Sequence, residues 1–411
     1  MGQTISEKII SNHVGHKVYA GELVISNVDG AMASDTTGPL TIKAFKEMGG
    51  KKVFNPDKCA LIIDHAAPSP NERIANLHKM MRDFAKEQGM RLFEIGEGIC
   101  HQVMVENQYV KPGDIFIGAD SHTPTYGALN AFACGVGSTD LAAVMMTGKI
   151  WLKVPQTIKV HCSGKLKDGV TAKDLILFLV GKITVSGATY QAIEFCGEAF
   201  EGLSLASRMT IANMSSEMGA KTGIVHPAGL ELDYDFSAIT PDEDAKYIKT
   251  FDFDVSDLEP QVSAPESPDN VHNISNYEGT KVDYAFIGTC CNGRLEDLDI
   301  AAKILKGKKI HPDVRLIIAP ASQSVLLDAM SNGTMATLIE SGASLITSGC
   351  GPCVGTHQGV PADGEVVISA ANRNFRGRMG NPNSNIYLGA PATVAASALE
   401  GKIINPKKYL I

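Results

Sequence analysis

Tyr284-Ala285-Phe286-Ile287-Gly288-Thr289-Cys290-Cys291-Asn292-Gly293-Arg294 is an apolar β-like run that ends at a glycine and opens into two cysteines. Helical spacing follows from Leu295 to Leu305, and Val314-Arg315-Leu316-Ile317-Ile318 is strand-like again. Strand, polar loop, helix and strand in this order are the unit of a mainly parallel sheet covered on both faces. Working outward, the first third repeats the rhythm. Cys59-Ala60-Leu61-Ile62-Ile63 is a buried strand, residues 71–88 have helical spacing, and Arg91 to Ile95 and Asp114 to Gly118 are strand-like. Leu141 to Leu152 is expected to be helical, and Thr4 with Glu7 forms a capping box for a helix starting at Ile5.

The chain has 411 residues, more than one ordinary core holds. The fold class expected is α/β with parallel and mixed sheets in three domains, spanning 1–155, 156–251 and 281–411. Residues 252–280, rich in Asp, Pro, Ser and Asn, read as a linker. The similar rhythm of the first and last thirds has the form of a domain duplication.

A net charge of −8 with no basic block argues against nucleic acid as a partner. No apolar stretch reaches the length of a membrane span, and the N-terminus has no apolar signal core. Nine cysteines, odd in number and irregularly spaced, point to a reducing compartment, so a cytoplasmic location is expected.

Cys350-Gly351-Pro352-Cys353 follows a second apolar run, and Cys290 is the distant third thiol. Three soft ligands suit an iron–sulfur cluster that keeps one iron free of protein sulfur. A zinc site completed by His357, a redox pair at Cys350 and Cys353, and unligated core cysteines are the alternatives. Asp64-His65 and Asp120-Ser121-His122 also sit at strand ends, with His101 a few residues past Ile95. An aspartate beside a histidine orients the ring and raises its basicity, which suits proton transfer. Arg373 and Arg378 flank Asn374-Phe375-Arg376-Gly377, and the planar guanidinium suits a carboxylate substrate.

Cys290 to Arg294, Gly349 to Cys353 and Asn372-Arg373-Asn374-Phe375-Arg376-Gly377-Arg378 occur together in this order. The set resembles the aconitase superfamily, most closely its 3-isopropylmalate dehydratase and homoaconitase large subunits, from end to end. The resemblance implies a [4Fe–4S] cluster on Cys290, Cys350 and Cys353. It implies catalytic roles for Asp64, His65, His101, Asp120 and His122, with Glu194 supporting a site histidine. Asp35, Asn372, Arg373 and Arg378 would line the substrate pocket. The implied activity is dehydration and rehydration of a hydroxy diacid, 3-isopropylmalate first, with homocitrate-type acids, (R)-citramalate or 2,3-dimethylmalate as alternatives. With the sequence ending at Ile411, the family's swivel domain is expected on a separate small subunit. From another class, a zinc-stapled α/β binding protein also remains. The chain departs from the family pattern at Ser34 (usually His or Gln), at Pro124 and Tyr126 (usually Cys and His) and at Cys291 (usually Thr). These departures put the substrate in question rather than the reaction type.

Overall fold

The computed structural model describes residues 2–410; Met1 and Ile411, the outer bounds of the first and last expected domains, lie outside the described residues. Three larger sheets and one two-stranded sheet organise the described residues. The first has five parallel strands in the spatial order Arg91–Phe93, Cys59–Ile62, Gly30–Ser34, Ile115–Gly118, Phe132–Gly135. Its central strands are buried at every position, as strands covered on both faces must be. Gly30–Ser34 has Cys59–Ile62 on one side and Ile115–Gly118 on the other. The connections therefore diverge there, and a crevice opens beyond the carboxyl ends of these strands.

The second sheet is parallel, ordered Thr222–Val225, Ala192–Cys196, Thr157–Ser163, Lys249–Asp254. The third has seven strands: Val271–Asn273, Gln261–Ser263, Asn385–Leu388, Val366–Ser369, Tyr284–Gly288, Arg315–Ala319, Ser344–Leu345. Only Gln261–Ser263 runs antiparallel to its neighbours. A second divergence lies at Tyr284–Gly288, flanked by Arg315–Ala319 and Val366–Ser369.

Several expectations hold closely. The helix Leu295–Leu305 has the expected bounds, and the helix Ile5–Val14 starts at a complete capping box. Two are corrected. Residues 252–280 are not a structureless linker. The expected boundary at 251 falls inside the edge strand Lys249–Asp254, and Gln261–Ser263 is a fully buried strand. Its polar residues escaped the apolar-run criterion because their groups are paired. Gln261 N–H donates to Asp174 at 2.9 Å, and Ser263 Oγ accepts from Asn374 at 3.1 Å. The helix expected from Leu141 to Leu152 is Ser138–Thr147, stopped by Gly148 at φ +65. The remainder, Lys149–Lys153, alternates exposed and buried and pairs antiparallel with Leu23–Asn27. Among the described residues, no helix is long and apolar enough to cross a membrane.

Candidate active site

The two strand divergences face one another across a cavity of about 280 Å³. From the five-stranded sheet, Asp35, Asp64–His65 and Asp120–His122 all follow carboxyl ends of strands, and His101 lies on the helix Cys100–Glu106. Asp120 is the hub. Its Oδ1 is 2.9 Å from His101 Nε2 and accepts the His122 N–H at 2.8 Å, while Oδ2 is 3.4 Å from His65 Nε2. Burial works against the Asp120 charge, yet His101 first, then His122 and His65, hold the carboxyl well below its usual range. His65 Nδ1 is 2.8 Å from Asp64 Oδ1, and Asp64 Oδ2 accepts the Cys100 N–H at 2.7 Å. Burial opposes a charge on His65, but Asp64 and Asp120 raise its pKa well above the usual value.

The opposite wall comes from the seven-stranded sheet. Cys290 lies just past Tyr284–Gly288, Cys350 and Cys353 follow Ser344–Leu345, and Asn372 and Arg373 follow Val366–Ser369. All three thiols are buried and line the cavity. Asn213 Nδ2 lies 3.3 Å and Asn372 Nδ2 3.7 Å from Cys290 Sγ; Asn372 Oδ1 is 3.5 Å from Cys353 Sγ. Arg378 donates to Cys353 Sγ at 3.5 Å. Hydrogen bonding with Cys350, then the Arg378 guanidinium, pulls the Cys353 thiol down despite its burial. The walls are tied together, since Cys350 N–H donates to the Asp64 carbonyl at 2.7 Å. A Cβ at Gly349 would come within 2.6 Å of that carbonyl oxygen, so the contact requires glycine.

The donor set fits an iron–sulfur group better than a single zinc. Among the described residues, the groupings tight enough for one ion are Cys100, His101, Asp120 and Asp35, Asp64, His65; the three cavity thiols are in neither. Both groupings are already occupied by their own hydrogen bonds. His357, the would-be fourth zinc ligand, does not line the cavity. Arg378 Nε and His101 Nδ1 are buried at this site with no partner among the described residues, as polar groups awaiting a ligand would be. Cys291, the competing thiol, faces the other way and accepts from Lys173 Nζ at 3.3 Å.

Ten of the thirteen expected site residues line the cavity: His65, His101, Asp120, His122, Cys290, Cys350, Cys353, Asn372, Arg373 and Arg378. Asp64 stands behind His65. Asp35 is corrected from a lining to an anchoring position. Its carboxylate accepts from the N–H groups of Asp64, His65 and Ala66 and sits 3.1 Å from His78 Nε2, while its neighbours Thr36 and Thr37 face the cavity. Glu194 is also corrected. It caps the first helix through the Ile5 N–H at 2.7 Å and accepts from Tyr247 at 2.8 Å, with no site histidine among its partners. The glutamate that holds a histidine is Glu217. Its Oε1 is 2.9 Å from His122 Nε2, and it receives Arg373 Nε at 2.8 Å and 2.9 Å. Burial raises its pKa, and His122 and Arg373 more than reverse that. Glu217 and Asn213 were missed because a single carboxylate and a single amide on a helix and its end carry no spacing signal. Of the departures, Tyr126 is fully buried and packs beside His101 at 5.8 Å between ring centres, Ser34 Oγ bonds Thr36, and Pro124 lines an adjoining cavity.

This geometry has relatives. The chain is 48% identical to the 3-isopropylmalate dehydratase large subunit 1 of Methanopyrus kandleri and 50% identical to that of Thermotoga maritima, each over 100% of both chains. It is 51% identical to the probable methanogen homoaconitase large subunit of Methanosarcina mazei, over 94% of this chain and all of that one. The crystal structure of Thermococcus kodakaraensis aconitase X shares the fold, with a TM-score of 0.52 at 15% identity over 91% of this chain and 94% of that one. The model of the aconitase family (aconitate hydratase) matches residues 7–280 and 274–401, so both walls of the cavity lie inside matched segments and the chain belongs to the aconitase family.

Proposed function

We propose that this chain is the large subunit of a hydro-lyase of the carbon–oxygen lyase class that dehydrates and rehydrates 3-isopropylmalate, with a role in leucine biosynthesis. The carrying observation is the Asp120 carboxylate, shared by three histidines, facing three cysteines across one cavity. Cys290, Cys350 and Cys353 would hold a [4Fe–4S] cluster, which when bound supplies a Lewis-acidic iron to substrate oxygens.

The chain's own residues supply the rest. Arg373 is held in place by Glu217 and by Ser121 Oγ at 3.0 Å, so its fork is oriented before a substrate carboxylate arrives. Arg378 offers its unpartnered Nε to the same purpose. The departing hydroxyl takes its proton from the Asp120–histidine group. His65, with Nδ1 on Asp64 and Nε2 toward Asp120, retains its proton near neutrality. The base that removes the carbon-bound proton is assigned to a separate small subunit, which would also close the cavity against water. A homoaconitase-type substrate is the second reading, favoured by the Methanosarcina mazei relative.

The test is co-expression with the small subunit, anaerobic purification, and assay on 3-isopropylmalate, homocitrate, (R)-citramalate and 2,3-dimethylmalate. The expected result is turnover only in the complex, and fastest on 3-isopropylmalate. Fast dehydration by the isolated chain would contradict the two-subunit reading, and a faster homocitrate reaction would favour the second substrate.

A further inference from the structure

Behind the cysteine wall, the helix Ala172–Ile183 of the second sheet's layer sends Lys173 into the third sheet's layer. This lysine is 1% exposed, an unusual position for an ammonium group. Its Nζ donates to the Ala370 carbonyl at 2.9 Å, the Ala371 carbonyl at 2.7 Å and Cys291 Sγ at 3.3 Å. All three donor positions of the ammonium therefore have an acceptor. The adjacent Asp174 is engaged elsewhere, with Thr171 and the Gln261 N–H. Among the described residues no carboxylate bonds to Lys173; its partners there are a thiol and two main-chain carbonyls.

The choice of partners is informative. Ala370 and Ala371 immediately precede Asn372 and Arg373, and Cys291 immediately follows Cys290. One buried cation thus grips the two loops that carry a cluster cysteine, the amide touching two of the thiols, and the carboxylate-binding arginine. A second tie runs through the same place: Arg294 donates to the Cys290 and Cys291 carbonyls and to Gln102 Oε1 at 3.1 Å. Arg294 holds the cysteine loop to the first layer, and Lys173 holds it to the arginine loop.

We propose that Lys173 is a positioning residue that fixes the Cys290–Cys291 loop against the Ala370–Arg373 loop, setting the spacing between cluster ligand and substrate-binding arginine. The proposal rests on the cluster reading above. Lys173 does not line the active-site cavity and acts only through these loops. Replacing the ammonium by an apolar group of similar length strands two buried carbonyls, whose loss of partners carries a full desolvation cost.

The test compares wild type with Lys173→Met and Cys291→Ser in the full chain, by hydrogen–deuterium exchange and by iron retention after anaerobic reconstitution with iron and sulfide. In Lys173→Met, amides of 289–292 and 370–373 should exchange about tenfold faster, while 59–62 and 115–118 stay as in wild type. Iron should leave faster in air by a similar factor. Cys291→Ser, which weakens one limb of the grip, should change both measurements less. A uniform rise in exchange across all four segments would reduce Lys173 to general packing and overturn the proposal, as would unchanged exchange in the two loops. If Lys173→Met does not fold, Lys173→Gln, with its donor on a shorter stem, carries the test: the same two loops should loosen to a lesser degree, and no loosening overturns the proposal. Absence of iron and sulfide in wild type would instead break the cluster reading, while leaving the exchange comparison able to test the grip.

Discussion

The wall built by the five-stranded sheet is a hydrogen-bond network centred on carboxylates, with His101 Nδ1 left over, whereas the wall built by the seven-stranded sheet leaves three sulfurs open to the cavity. In the first, Asp35 fixes the 64–66 turn, Asp64 fixes His65, and Asp120 fixes the histidines, so each acceptor has a donor within the protein. In the second, the sulfurs meet Asn213, Asn372 and Arg378, and no protein group satisfies them as ligands. One wall is preorganised for moving protons and the other for holding something soft and electron-poor. Glu217, from the short turn Ser215–Met218, bonds His122 of one wall and Arg373 of the other and so ties the two together.

The largest break in this contrast should come from the hub. Asp120→Asn keeps the shape but loses the charge that the histidines share. Turnover should fall about 10²–10⁴-fold, the range of general acid–base groups, with cluster absorbance retained. An unchanged rate would mean the histidine wall does not handle the proton. A smaller effect is expected where the walls meet. Arg373→Lys retains charge but loses the fork, and Glu217→Gln removes the charge that pairs with Arg373 and His122. Each should weaken turnover by roughly 2–4 kcal/mol, mainly in KM for the arginine, as steady-state kinetics would record. If Glu217→Gln is silent while Arg373→Lys is not, Glu217 does not orient the arginine.

The smallest effect on catalysis should come from Glu194, outside both walls. Burial raises its pKa from 4.5 to about 7, with Tyr247 and the helix N–H groups acting in the opposite direction. Between those values the folded chain keeps a proton that the unfolded chain releases, so stability is present below about 4.5 and is lost as pH rises through about 7. Glu194→Gln cannot titrate. Thermal unfolding should therefore show wild type losing stability relative to the variant between pH 5 and pH 8, by on the order of 3 kcal/mol at most. Turnover by the complex should hardly change. A large loss of turnover would return Glu194 to the site.

The sequence made the two walls unequally legible. Strand ends were readable because Cys59 to Ile63 and Tyr284 to Ile287 are continuous apolar runs, and polar residues just past such runs fall at the crevice. That logic located Asp64, His65, Asp120, His122 and the cysteines. It failed for groups that support the lining residues from helices, since Asn213 lies in the last turn of Leu205–Met214 and Glu217 follows on the next turn, with no run to mark them. Glu194 was misassigned because it sits mid-strand in a motif-like context, whereas its neighbour in space is the start of the first helix. Gln261–Ser263 was read as linker because Asp174, Asn374 and Leu388, which pair with it in its buried position, are distant in sequence.

The open sulfurs of the second wall would hold an iron–sulfur cluster through Cys290, Cys350 and Cys353. Iron and acid-labile sulfide per chain, measured after anaerobic reconstitution of wild type, Cys290→Ser and Cys291→Ser, test it most directly. Both elements are expected in wild type and in Cys291→Ser, since the native Cys291 thiol already faces Lys173, with loss of the intact cluster in Cys290→Ser. A full cluster in Cys290→Ser with loss in Cys291→Ser, or one zinc and no sulfide in wild type, would contradict it.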